Sequence, residues 1–384
     1  MSVFFSQGFR PFFLLASLWA ALSMAVWIGF SAGAPVLQGA LAPLDWHVHE
    51  LIFGYGGAVI CGFLLTAIPS WTNRAPVSGL PVMTLAGLWL AARVGFLLPG
   101  GGIPLPVLAA LSLLFPALFC VIAGRELIAA KNRRNLPVLA ICIAFLAADA
   151  GFLWQAVQYG AASGGVAERA GIAVLILLIS LIGGRIVPAF TRNWLKAKGV
   201  AGTPAEFAAL DKVVLAGSVG ALLSWVLWPD AIVTGALLLV LAPAHALRLS
   251  RWRGLATRSE LLLFGLHLGY GFVALGFLLT GAGALLPGLV PAVAGIHAWT
   301  VGAVGLMTLT VMTRASLGHS GRPLVALPIE QGFISAILLA AVLRILSTWG
   351  ALPETLLYGS AGLWCLGFGL FALRFLPVMI APRS

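Results

Sequence analysis

Long apolar runs alternate with short polar breaks along the whole chain. A membrane-spanning helix needs about 20 predominantly apolar residues. Twelve segments meet that requirement, near 9–32, 46–70, 80–99, 104–128, 135–160, 165–189, 210–228, 231–249, 259–281, 291–314, 327–349 and 352–376. The pattern predicts an all-α, polytopic integral membrane protein, one transmembrane domain over residues 1–384. The connections are short and give no sign of a linker, a low-complexity tail or a separate extramembrane module. The first segment lacks a small-residue cleavage site after a short apolar core, so it reads as a retained helix.

Composition narrows the class further. The chain is 61% hydrophobic and 9% charged, a balance foreign to an ordinary soluble domain. A net charge of +11 raises nucleic acid as a partner. The distribution excludes it, because the basic residues gather at helix ends. Arg10, Arg74, Arg125, Lys131, Arg133, Arg134, Arg185, Arg192, Lys196, Lys198, Lys212, Arg248, Arg251, Arg253, Arg258, Arg314, Arg322, Arg374 and Arg383 fall at the termini or in alternate loops, 19 of 22 Lys and Arg. The positive-inside rule then predicts both termini in the cytoplasm, with the start of the second segment facing outward. Cys61, Cys120, Cys142 and Cys365 are isolated in apolar segments without metal spacing and read as packing residues.

Against this background Trp46-His47-Val48-His49-Glu50 stands out. Ionisable side chains in a membrane helix are costly, and a functional role is the default reading. Successive helical residues turn by about 100°, so His47 and His49 point to nearly opposite sides and Glu50 shares the face of His47. One motif can serve two sites. His297 follows Pro291 by six residues and also falls in the outer half. Imidazole is a common ligand for haem iron and copper, so His47, His49 and His297 are candidate ligands. The competing reading hydrogen-bonds them to backbone, carboxylate or water. His267, in Gly265-Leu-His-Leu-Gly-Tyr270, suits either ligation or helix packing. His245 reads as a cap or a snorkelling residue at a basic helix end, and His319 as an orderer of a Gly-flanked turn. Glu50 is the candidate catalytic group: it orients a neighbouring imidazole or relays protons. The glycines after it, Gly54, Gly56, Gly57 and Gly62, admit either a flat macrocycle or a close helix.

Arg93 and Arg344 lie inside apolar segments towards their outer ends. A buried Arg needs an anion. Haem propionates answer that need, as do Glu50, Asp149 or a carbonyl. Asp149 is itself a buried carboxylate without an evident partner. Pro188, in Gly183-Gly-Arg185 through Arg192-Asn193, is expected to end or kink the sixth helix.

Together, Gly8-Phe-Arg10-Pro-Phe-Phe13, Trp46 to Glu50 with Phe53-Gly54, Gly62 to Pro69 with Trp71-Thr72, Gly183-Gly-Arg185 with Pro188 and Thr191-Arg-Asn193, His267-Leu-Gly-Tyr270, and Met312-Thr-Arg314 through Gly318-His-Ser-Gly-Arg-Pro323 resemble the NnrS family of bacterial membrane proteins over essentially the whole length. Ser70 and Asn73 depart from it, where the family-like pattern has Asn and Gly. The resemblance implies a twelve-helix inner-membrane protein carrying haem b and copper, linked to nitric oxide metabolism and resistance. The implied ligand set draws on His47, His49, His267, His297 and His319, with Arg93 and Arg344 on propionates. A looser analogy joins the architecture to haem-copper oxidase catalytic subunits, where a His-x-His pair serves two centres from one helix.

Three functions follow. One is a redox metalloprotein resembling a nitric oxide reductase, fed by quinol or a cytochrome. Another is a transporter, which twelve Gly- and Pro-broken helices also suit. The third is a nitric oxide or metal sensor without turnover. Whether the chain is an enzyme stays open at this level.

Overall fold

The structure, a computed structural model, describes residues 3–99, 102–350 and 354–382; Arg383 lies outside the described residues. Twelve helices are long and apolar enough to cross a membrane: α1 (Phe9–Ser31), α2 (Pro43–Thr72), α3 (Leu80–Leu97), α4 (Leu105–Ala129), α5 (Arg133–Tyr159), α6 (Val166–Ala197), α7 (Ala209–Leu227), α8 (Ile232–Ser250), α9 (Leu261–Leu285), α10 (Ala292–His319), α11 (Pro328–Leu346) and α12 (Thr355–Ile380). Among the described residues there is no strand. The chain is therefore a multi-pass membrane protein, as its apolar periodicity predicts.

The boundaries depart from expectation where local chemistry decides them. Helix α2 starts at Pro43, whose missing N–H suits the first helical position. Asp45 ties this start down by accepting from the backbone of Ala162 at 3.0 Å and Ser163 at 2.8 Å. The Trp46–Glu50 motif thus begins within the first turn rather than opening the helix. Helix α2 ends on Asn73 in the left-handed conformation, φ 54°. Asn ranks next to Gly in tolerating that cap, so the departure at Asn73 preserves the turn. Helix α6 neither ends nor breaks at Pro188. It continues to Ala197, because a π-helical segment, Ile179–Gly183, has already loosened the hydrogen-bond ladder upstream. Helix α10 likewise runs through His319, which closes a helix rather than sitting in a turn.

Three π-helical segments are present among the described residues, at Glu50–Tyr55, Ile179–Gly183 and Ala298–Leu306. They fall in α2, α6 and α10, which at 30, 32 and 28 residues are the longest spans and recur every fourth helix. Each π-turn widens the ladder, and such segments concentrate at functional positions. The first follows His49 directly, and the third follows His297.

Two compact units make up the fold. Unit 1 comprises residues 1–174, 315–322 and 368–384; unit 2 comprises residues 175–314 and 323–367. Within unit 1, α2 packs against α1, α4 and α5. Within unit 2, α9 is the central element and packs against α8, α10 and α11. Large apolar side chains such as Leu80, Ile232 and Leu373 point outward, as lipid contact demands. Lipid tails are as apolar as Leu, so helix association rests on close packing and polar contacts. Gly62 shows the first: a Cβ there would stand 2.8 Å from Phe12 and 2.9 Å from Phe13. Both are fully buried ring positions on α1.

Replacing Gly62 with Leu should therefore part α1 from α2. We expect a loss of about 1–3 kcal/mol, read as a lower unfolding midpoint in detergent; an unchanged midpoint would contradict this packing.

Candidate functional site

In unit 1 the first π-turn and its neighbours enclose a set of charges. His49 and Glu50 are fully buried, Arg93 is 2% exposed and Asp149 4%. His49 Nδ1 lies 2.8 Å from Glu50 Oε1, and Nε2 lies 3.1 Å from Asp149 Oδ1. Each ring nitrogen of His49 thus faces a carboxyl oxygen, so the imidazole bridges Glu50 and Asp149. Arg93 Nε approaches Glu50 Oε2 at 3.3 Å, an ion-pair contact rather than an aligned hydrogen bond. Arg93 Nη2 donates to Ser112 Oγ at 2.8 Å. Two carboxyl groups thus face an imidazole and a guanidinium. Phe53, Phe96 and Phe152 surround the imidazole, and Trp89 and Phe96 flank the guanidinium.

Backbone chemistry makes this possible. Gly54 carries no side chain where a Cβ would meet Arg93 Nη1 at under 2.5 Å and Glu50 Oε2 at 3.0 Å. The π-turn leaves the Gly54 carbonyl open to a donor from outside the helix, and Trp89 Nε1 supplies it at 2.9 Å. Helical phase predicts Glu50 beside His47. The carboxylate instead turns to His49, drawn by Arg93 from α3. The divergence of the two histidines holds, since His47 stacks on Trp27 of α1, centroids 4.3 Å apart, while His49 reaches Asp149 of α5.

Unit 2 holds a second buried network, which sequence reasoning missed. His245 and Arg248 on α8 and Tyr270 on α9 are fully buried; Asp211 on α7 is 3% exposed. Arg248 Nη1 donates to Tyr270 Oη at 2.7 Å, and Arg248 Nε donates to Asp211 Oδ1 at 2.8 Å. With its oxygen accepting from Arg248, Tyr270 donates to His245 Nδ1 at 2.9 Å. His245 Nε2 then donates to Ser218 Oγ at 2.9 Å, and Ser218 donates to the Val214 carbonyl. His245 is therefore neither a cap nor a snorkelling residue. Arg248, grouped by sequence with the basic helix ends, faces inward because its length brings it to Asp211. The three-residue spacing of His245 and Arg248, which places both on one face of α8, was the available signal.

The remaining candidates fall as follows. His297 Nδ1 donates to the Val293 carbonyl at 2.8 Å, leaving Nε2 with the lone pair. Arg344, on the helix packed against that segment, stands within electrostatic reach of His297 and donates to Ser347 Oγ at 3.1 Å. His267 Nε2 lies 2.9 Å from Thr191 Oγ1, whose own hydrogen goes to Val187. Hence Nε2 donates, and Nδ1 is a buried acceptor without a partner. His267 also lines an apolar groove of about 750 Å³ with Leu249, Phe264, Leu268, Gly271 and Phe272. His319, at the exposed end of α10, packs its ring against Phe9 at 5.7 Å. The structure thus gathers His49, Glu50, Arg93 and Asp149, and sets His297 near Arg344. Among the described residues no group of three or more His, Cys, Asp or Glu side chains forms a metal cradle.

Charges neutralised inside an apolar helical bundle define a polytopic membrane protein with built polar sites, not a chain held by apolar packing alone. The chain belongs to the NnrS family: the NnrS protein family matches residues 3–383, essentially the full length. NnrS is associated with the response to nitric oxide. No curated protein matches the chain.

Removing one partner of a buried pair strands the other charge, at about 3–5 kcal/mol. Arg93→Leu should lower stability by that order, and adding Glu50→Leu should recover most of it. Unfolding of the single and double variants in one detergent checks this; equal losses in both would contradict the pairing.

Proposed function

We propose that this protein is a haem-binding redox protein of nitric oxide metabolism or resistance. In this reading Glu50 manages protons for nitric oxide reduction in the inner membrane. The observation that carries it is the pairing of His297 with Arg344. An imidazole whose Nδ1 is anchored on its own helix presents Nε2 as a metal ligand. A guanidinium nearby, bonded to a single hydroxyl, keeps donors for a carboxylate. His297 would thus offer a nitrogen to haem iron and Arg344 a partner to a propionate, so these residues fit haem b. Iron in a bound haem b would supply a coordination position for nitric oxide. Copper is different: neither unit gathers its donors among the described residues, and no step is derived through copper.

Arg93 has another duty, because Glu50 and Ser112 engage it. His49 is held by two carboxylates, which suits it to store and pass a proton. Reducing nitric oxide consumes protons as well as electrons. Glu50, Asp149 and His49 form a continuous hydrogen-bonded unit able to release one and recover it, with Arg93 beside the charge that release leaves. Apolar rings around His49 shield the three groups from bulk water. Of the two electron donors open to the chain, quinol suits the groove beside His267. Its walls, with Leu249, Phe264, Leu268 and Phe272, accept an apolar tail. Placing the termini in the cytoplasm, as the charge distribution favours, puts this groove in the cytoplasmic half.

Purified protein should show a Soret band that shifts with nitric oxide. His297→Ala should remove the band, and Arg344→Gln should weaken haem retention. Glu50→Gln should keep the band while slowing quinol-driven nitric oxide consumption by about 10²-fold or more, the scale of lost proton transfer. A colourless protein that still consumes nitric oxide would defeat this reading. A haem-bearing protein that binds nitric oxide without consuming it under any donor would instead make the protein a sensor.

A further inference from the structure

Arg10, His319 and Arg322 belong to sequence motifs that the function above leaves unused. Within unit 1 the ring contact between Phe9 and His319 joins the start of α1 to the end of α10. Arg10 follows Phe9 and is 4% exposed. Its Nη1 donates to the carbonyls of Val378 at 3.1 Å, Met379 at 2.8 Å and Ala381 at 2.7 Å. This closes the last turn of α12, where a cation is favoured by the exposed carbonyls. It also brings both ends of the chain to one face of the membrane.

Helix capping explains only that part of the guanidinium. Arg10 Nε is buried without a partner. Ser316 lies three residues before His319, on the same helical face, and its fully buried hydroxyl also has no partner. Arg322 lies three residues after His319, where its backbone N–H closes the turn on the Leu317 carbonyl at 2.9 Å. The Nη1 of Arg322 is buried and again has no partner. Arg10 and Arg322 stand close enough to repel one another.

Among the described residues of unit 1, no side-chain carboxylate neutralises them. Its five side-chain carboxylates are all engaged elsewhere. Asp45 holds the Ala162–Ser163 turn, Glu50 and Asp149 hold His49, Glu126 holds Arg74 and Arg125, and Glu168 accepts from Gly164. The orphaned atoms are therefore N–H groups on two like charges, with an O–H one turn back along α10 from the His319 contact. Buried orphans of one kind call for a missing ion or ligand, and here it must be rich in acceptors and negatively charged. Paired guanidiniums with a hydroxyl are a recurrent way to hold phosphate oxygens.

We propose that Arg10, Ser316 and Arg322 form a binding site for a phosphate group on the face of the membrane that carries the chain termini. Either the headgroup of an anionic phospholipid or free inorganic phosphate presents that chemistry. Arg10 holds the end of α12 in place while its second edge meets the phosphate. The site therefore couples anion binding to the junction of the first, tenth and last helices.

The full-length protein, delipidated in a neutral detergent, tests this in two arms. Inorganic phosphate is titrated against thermal unfolding, and phosphatidylglycerol retention is followed by native mass spectrometry. Arg10→Gln would also uncap α12, so the informative variants are Arg322→Gln, Arg322→Lys and Ser316→Ala. We expect saturable binding of one probe to the unaltered protein, weakened about tenfold or more, roughly 1.4 kcal/mol, in Arg322→Gln. Arg322→Lys should recover part of it, since the charge remains and the fork is lost. Phosphate binding assigns the site to a free anion; retained lipid with silent phosphate assigns it to a headgroup. Failure of both probes, or equal binding by Arg322→Gln, would overturn the proposal.

Discussion

The interaction on which unit 1 depends is the contact of Glu50 and Asp149 with His49 and Arg93. In an apolar bundle an isolated ion is expensive, and even a paired one repays its desolvation only when its other bonds are satisfied. The four groups come from three helices: His49 and Glu50 from α2, Arg93 from α3 and Asp149 from α5, with Ser112 of a fourth, α4, completing the guanidinium. Satisfying these groups ties α2, α3, α4 and α5 to one another. Lipid supplies no competing hydrophobic force between helices, so polar contacts of this kind have more say in the assembly than they would in water.

The π-turn beginning at Glu50 is part of the same solution. A regular ladder would keep the Gly54 carbonyl within the helix and seat the following side chains on other faces. The wider turn hands that carbonyl to Trp89 and clears the surface over Gly54 for Arg93. A similar trade appears where Arg248 Nη1 donates to the Ser180 carbonyl, within the second π-segment. Local irregularity and buried charge are thus linked in both units. The repetition of π-segments at every fourth helix is a property of the chain's order that apolar periodicity could not reveal, since all three segments remain apolar.

Hydrophobic patterning alone located all twelve spans, since length and apolar character are what a bilayer selects. The ends were less legible. Pro43, Asn73 and Pro188 each act through backbone geometry, and the helix expected to end or kink at Pro188 runs on to Ala197. The costly residues were also visible: His49, Glu50, Arg93 and Asp149 each stood out against an apolar background. Their pairing was not. Helical phase put Glu50 with His47, yet a side chain bends towards the strongest available charge, which comes from a helix distant in sequence. Arg248 lies at a helix end, as its position implies, yet its length carries it inward to Asp211. His297 and Arg344 were both singled out from sequence, and only the packing of their two helices made them neighbours.

The functional account rests on a carboxylate unit that exchanges a proton during nitric oxide turnover. Infrared difference spectroscopy of the haem-loaded protein, on adding quinol and nitric oxide, reads that exchange directly. The account predicts a carboxyl band that appears and decays with turnover, and is lost in Glu50→Gln and displaced in Asp149→Asn. Turnover with no change in any carboxyl band, or with a band indifferent to both substitutions, would contradict it.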